Sequence, residues 1–262
     1  MAEALENNPD RIQTAKISLE KAQWRFILFG VILAPFLPLL YLQGKLVRWK
    51  VGRLPDAQGD TNGRVSAGEK SLELLAIGES TVAGVGVKTH EEALTGQFSR
   101  HLSKTTGESI NWEALGVSGI TVRRSINELV PNIPRKEIDV VLVALGANDV
   151  FSLSSPKGYL RDMRELIAIL RKKYPKAQIF LANVPMVRDF LALPNPLRFL
   201  LSRLAKLHHF NTIDMVKTIP NTFYFEEVDR VDEDFFSDGI HPSAKGYNLW
   251  SEAMVESFIK QT

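Results

Sequence analysis

Four short segments, far apart in the chain, hold residue types that together suit nucleophilic chemistry. The first is GESTVAGVGV (78–87), in which Ser80 stands between a strand-like run and a helix-like stretch. A serine there exposes its hydroxyl at the edge of a sheet, and its N–H lies near a helix start, where a developing oxyanion is favoured. Gly84 and Gly86 are expected to keep this loop open and close to a ligand. The second segment is GVSGIT (116–121), whose Gly119 can present a bare backbone N–H to the same point. The third is GAND (146–149), where the Asn148 amide is a further hydrogen-bond donor. The fourth is SDGIHPSAKGY (237–247), with Asp238 and His241 three apart. A turn there aims the carboxylate at His241 Nδ1, fixing the tautomer and leaving Nε2 free as a base. Pro242, at or near the first helical position, and Ser243 fit the start of a helix.

A nucleophile, a base, an orienting carboxylate and up to three oxyanion donors form the inventory for acyl transfer from an ester. Each part alone has a plainer reading. A glycine-flanked serine is usually a turn, Asn148–Asp149 a helix cap, and Asp-x-x-His a surface pair. Their order, after successive strands, is what gives the set meaning. Water and a sugar or lipid alcohol both fit as acyl acceptor. A binding module on a decayed hydrolase fold is a third reading, and the intact set argues against it.

Other chemistries lack their motifs. GVGVKT (84–89) misses the phosphate-loop spacing, because Val87 precedes Lys88. Val82 breaks the G-x-S-x-G elbow. The chain has no Cys, which removes disulfides, thiolate metal sites and Cys nucleophiles. His208 and His209 are adjacent and His90 and His101 isolated, so all four read as surface histidines, with no metal and no cofactor expected.

These segments need elements to position them. Apolar runs at 72–78, 109–115, 138–146, 177–184 and 221–227 alternate with amphipathic stretches near 91–104, 121–130, 158–173, 197–216 and 244–259. Several runs are apolar on both parities, as strands buried on both faces are. The alternation predicts an α/β fold with a parallel sheet covered by helices, its active site at the carboxyl ends of the strands. Residues 186–201 carry Phe190, Leu191, Leu193, Leu197, Phe199 and Leu200. They read as core packing of a helix or as an apolar wall for an acyl chain, with Phe190 and Leu193 the substrate-contacting candidates.

The N-terminal part differs. Residues 26–42 carry no charge, and Arg25, Lys45, Trp24 and Tyr41 flank them as interfacial residues do. They predict a single-pass transmembrane anchor, preceded by a polar segment (1–25) and followed by a linker (43–70). Arg11, Lys16, Lys21 and Arg25 lie before the run, and Lys45, Arg48, Lys50 and Arg53 after it. The positive-inside rule gives a near tie, so the side facing the catalytic part stays open. A net charge of +2 is too small to argue for nucleic acid.

The sequence resembles the SGNH/GDSL hydrolase family. The resemblance is carried by Gly78-Glu79-Ser80, Gly119, Gly146-Ala147-Asn148-Asp149 and Asp238-Gly239-Ile240-His241-Pro242. It covers about residues 71–260, and the hydrolase domain is taken as 71–262. It implies a flavodoxin-like three-layer sandwich with a parallel sheet of about five strands. It also implies Ser80, Asp238 and His241 as a triad, with Ser80 N–H, Gly119 N–H and Asn148 as oxyanion hole. The expected substrate is a small-molecule, lipid or carbohydrate ester. Glu79 stands where the family usually has Asp. Because it is not itself a triad member, the chemistry is expected to survive, and the change falls on its supporting hydrogen bonds. A bacterial subgroup shares the N-terminal apolar segment and a segment like 184–201.

Overall fold

The computed structural model describes residues 9–52, 54–227 and 231–262. The doubly apolar runs become the centre of a six-stranded sheet of order β1-β3-β2-β4-β5-β6. The strands are β1 (Asn62–Val65), β2 (Ser71–Gly78), β3 (Ser109–Gly116), β4 (Val140–Ala144), β5 (Gln178–Leu181) and β6 (Thr222–Tyr224). Strands β2 to β6 run parallel. Alternation splits each strand between two apolar layers. Leu75, Ile77, Val141, Val143 and Ile179 enter one core cluster, and Leu74, Ala76, Val140, Leu142 and Phe180 the other.

Helices cover both faces. On one side lie α3 (Leu94–Thr106) and α8 (Ala244–Gln261), bringing Phe98, Tyr247 and Phe258. On the other lie α4 (Val122–Glu128), α5 (Ala147–Phe151), α6 (Pro156–Lys173) and α7 (Leu197–Val216). The chain is thus a three-layer α/β sandwich.

Two details depart from the sequence expectation. The parallel sheet has the five strands expected, and a sixth strand is added because β1 pairs antiparallel with the edge of β3. It falls inside the stretch read as a linker: NGRV has no apolar run, and pairing along a sheet edge rather than burial makes it a strand. The N-terminal helix is also longer than the apolar run. The path is α1 (Pro9–Leu33), a 3-10 turn at Ala34–Phe36, then α2 (Leu37–Val51), so residues 43–51 are helical and not linker. The stretch Ser18–Val47 is long and apolar enough to cross a membrane. Residues 1–8 of the expected polar segment lie outside the described residues.

Candidate active site

Parallel register brings three of the four segments together. Gly78, at the end of β2, pairs with Gly116 of β3 on one side and with Ala144 of β4 on the other. The loops carrying Ser80, Gly119 and Asn148 therefore leave the sheet side by side, at its carboxyl edge.

The Ser80 loop is a tight turn, not the start of a helix. Ala83 N donates to Glu79 O (3.0 Å) and Val85 N to Ser80 O (2.9 Å), and α3 begins only at Leu94. The expected helix-start N–H is thus a turn N–H. The loop glycines also differ from expectation, since they face protein and not a ligand. Gly86 (φ +100°) is pressed against the Pro242 carbonyl; a Cβ there would lie 2.3 Å from that oxygen. A Cβ on Gly84 would lie 2.4 Å from Ala57 Cβ. Gly86 therefore sets how closely the serine loop and the histidine loop approach. Tyr247 on α8 adds a second tie, its hydroxyl donating to Val85 O (2.7 Å).

The fourth segment folds on itself. Asp238 Oδ1 accepts from Ile240 N (2.9 Å) and His241 N (2.7 Å), while Oδ2 meets His241 Nδ1 at 2.8 Å. Burial pushes the Asp238 carboxyl up, but its hydrogen bonds to the His241 side chain and backbone outweigh that, and its pKa lies below the usual value. An ionised Asp238 accepts a hydrogen bond from Nδ1–H, which holds the proton on Nδ1 and leaves Nε2 free. Ser243 is the N-cap of α8, accepting from Gly246 N (3.1 Å), so Pro242 sits just before the cap and not within the first turn.

Ser80 and His241 line one cavity of about 350 Å³, with Ala182, Phe225, Phe236 and Trp250 among its walls. Among the described residues no hydrogen bond joins Ser80 Oγ to His241; such bonds are often long before substrate binds. Phe190 lines the same cavity and meets Phe236 edge-on at 5.6 Å. Leu193 does not line it and is buried in the core cluster of the α6–α7 layer. Gly119 (φ +80°) lies on the loop after β3 and Asn148 in the first turn of α5, both outside the cavity lining.

Two acidic residues take on roles that sequence reasoning does not give them; Glu79 is marked there only as a departure with supporting hydrogen bonds, and Asp149 only as a helix cap. The Glu79 carboxylate accepts from Ala147 N (2.9 Å), Asn148 N (2.9 Å) and Asn148 Nδ2 (2.5 Å). It thereby caps α5 and holds the Asn148 amide beside the serine loop. The extra methylene relative to Asp supplies reach. Burial, reinforced by nearby Asp149, pushes its pKa to about 7 even though three N–H donors pull it down. Asp149 accepts from Val122 N (2.9 Å) and Ser154 Oγ (3.2 Å), tying the Asn148 loop to the start of α4 just after Gly119. Its pKa is pushed to about 6, chiefly by burial. The acidic pattern was visible, but most of its partners are backbone N–H groups distant in sequence.

The histidines correct the surface reading. His90, His208 and His209 are buried, and His101 is half-buried against Asn248. His208 stacks on Tyr159 at 4.3 Å and His209 Nδ1 meets the Tyr224 hydroxyl at 2.8 Å, so aromatic packing accounts for their burial. Among the described residues no cluster of three His, Cys, Asp or Glu suits a metal ion.

Comparison with known proteins agrees with this architecture. No curated protein is similar enough in sequence to match. The family 3 carbohydrate esterase of Clostridium thermocellum superposes with a TM-score of 0.57 at 18% identity, over 73% of this chain and 97% of that one. Est24, a carbohydrate acetylesterase from Sinorhizobium meliloti, gives 0.52 at 16% identity, over 74% and 100%. The M. smegmatis aryl esterase gives 0.52 at 15% identity, over 73% and 100%. At these identities the likeness is one of fold. In sequence, residues 76–249 match the model of the GDSL-like lipase/acylhydrolase family, a span running from the end of β2 into α8. The chain therefore belongs to the GDSL-like lipase/acylhydrolase family and is a carboxylic ester hydrolase.

Proposed function

We propose that Ser80, His241 and Asp238 form a catalytic triad that hydrolyses esters through an acyl-enzyme. The observation that carries the reading is the Asp238–His241 pair opening onto the cavity that Ser80 lines. His241 Nε2 takes the Ser80 proton as Oγ attacks the ester carbonyl. The oxyanion is met by Ser80 N–H, Gly119 N–H and the free hydrogen of the Asn148 amide, whose other hydrogen is held by Glu79. His241 then protonates the leaving alcohol, and water repeats the sequence in reverse.

The apolar part of the cavity suits the acyl group, with Phe190, Phe225 and Trp250 in its wall. The carbohydrate esterases among the structural neighbours make an acylated sugar the substrate class to try first, and the lipase/acylhydrolase family makes a lipid ester the second. The apolar helix Ser18–Val47 attaches the enzyme to a membrane.

Hydrolysis of p-nitrophenyl acetate and butyrate tests the assignment. Ser80→Ala and His241→Ala are expected to lower kcat by on the order of 10⁴-fold or more. Wild-type turnover by a folded Ser80→Ala variant would refute it.

A further inference from the structure

The apolar helix is gripped by the catalytic domain at both of its ends. Before the apolar run, Glu20 pairs with Lys157 Nζ (2.6 Å) and Gln23 Oε1 accepts from Lys157 N (3.1 Å). Ala22 is buried there, and Leu19 and Phe26 pack against the core. After the run, Gln43 donates through Nε2 to Asn195 O (2.9 Å) and accepts at Oε1 from Leu197 N (3.2 Å). Val47 is buried beside it. Lys157 and Leu197 both lie in first helical turns, those of α6 and α7. Between these two feet the helix faces outward, with Val31 69% and Leu42 62% exposed.

A helix that crosses a bilayer puts its ends on opposite faces, about 30 Å apart. A folded domain on one face reaches only one of them. Crossing would therefore break one of the two clamps and expose the apolar contacts beneath it. One further feature agrees. Basic residues flank the run almost equally, as suits two ends resting on one anionic surface.

We propose that residues 18–47 do not span the membrane but lie in one leaflet as a monotopic helix, clamped at both ends to the catalytic domain and covered by lipid on the exposed side. This rests on the membrane attachment proposed above and decides its form. The N-terminal segment and the catalytic domain then share one side. The clamp at Asn195 and Leu197 also holds the segment that carries Phe190 into the cavity wall.

The absence of Cys makes the test direct. Single cysteines are placed in the full chain at the exposed positions Lys21 and Glu69, as Lys21→Cys and Glu69→Cys, with Val31→Cys as a third variant. Sealed membrane vesicles are treated with an impermeant maleimide before and after detergent. Lys21→Cys and Glu69→Cys are expected to behave alike, both labelling before detergent or both only after it. Val31→Cys is expected to label only after detergent. Labelling of one flank before detergent and the other only after it would overturn the proposal. Recovery of the protein in the soluble fraction with Val31→Cys freely labelled would overturn membrane attachment itself. As an independent check, a short bis-maleimide should join Glu20→Cys to Lys157→Cys in membranes; failure there, with each single cysteine reactive, would also overturn the clamp.

Discussion

Glu79 is where this chain departs from the family pattern, and its geometry gives the departure a consequence. Its two carboxylate oxygens take three N–H groups, two of them from Asn148. Glu79→Gln replaces an acceptor by a donor facing those N–H groups. An unsatisfied buried donor costs about 1–3 kcal/mol, so kcat should fall roughly 10- to 100-fold while fluorophosphonate still reacts at Ser80. Unchanged kcat would show that Glu79 does not position Asn148. The pH dependence has a definite sign. Burial, with Asp149 nearby, raises the Glu79 pKa from 4.5 to about 7. In the folded state Glu79 is charged, and grips Asn148 fully, only above that value. Wild-type kcat should therefore rise through about pH 7, and Glu79→Gln should flatten the part of the rise due to Glu79. Stability runs the opposite way. A raised folded pKa means the folded state holds more protons between pH 4.5 and 7, so stability falls as pH rises through that window. The loss is roughly 3 kcal/mol at most, and denaturant midpoints at pH 5 and pH 8 should differ less in Glu79→Gln than in wild type.

At the scale of elements, the site is held by contacts between loops that follow different strands. Gly86 is a tight one, since its left-handed backbone and the Pro242 carbonyl leave no room for a methyl group. Gly86→Ala should push the histidine loop away from Ser80. A misplacement of about 1 Å costs on the order of 100-fold in rate, so kcat on p-nitrophenyl acetate should drop by about that factor. The Asp238–His241 turn should survive, because its bonds are internal to residues 238–241. Wild-type activity in Gly86→Ala would contradict the close approach. Phe190 belongs to the same scale. Its ring lines the cavity and packs on Phe236, so Phe190→Ala should lower kcat/KM on butyryl esters more than on acetyl esters. A butyrate-to-acetate ratio reduced about 10-fold is the expected size for lost acyl contact; an equal loss on both would assign Phe190 to packing alone.

For the whole molecule, the sequence made much of the fold legible, and the exceptions have physical reasons. The central strands were readable because burial on both faces demands apolar residues at both parities, as in VVLVA of β4. Strand β1 was not, because an edge strand is defined by the partner it pairs with and needs no apolar run. Ser80, Asp238 and His241 stood out because their types and spacing carry chemical meaning. Glu79 stood out only as a departure from the family pattern and Asp149 only as a helix cap, since most of their partners are backbone groups distant in sequence. The buried histidines escaped because stacking on Tyr159 and bonding to Tyr224 leave no local mark in the sequence. What joins these scales is Ser80, placed by β2, flanked by the segments that follow β3 and β4 and lining one cavity with His241. The central claim is therefore tested most directly by reacting the intact enzyme with a fluorophosphonate and mapping the adduct by peptide mass spectrometry. The account predicts one adduct, on Ser80, formed far more slowly in His241→Ala. An adduct on another residue, or none on Ser80 in the folded protein, would contradict it.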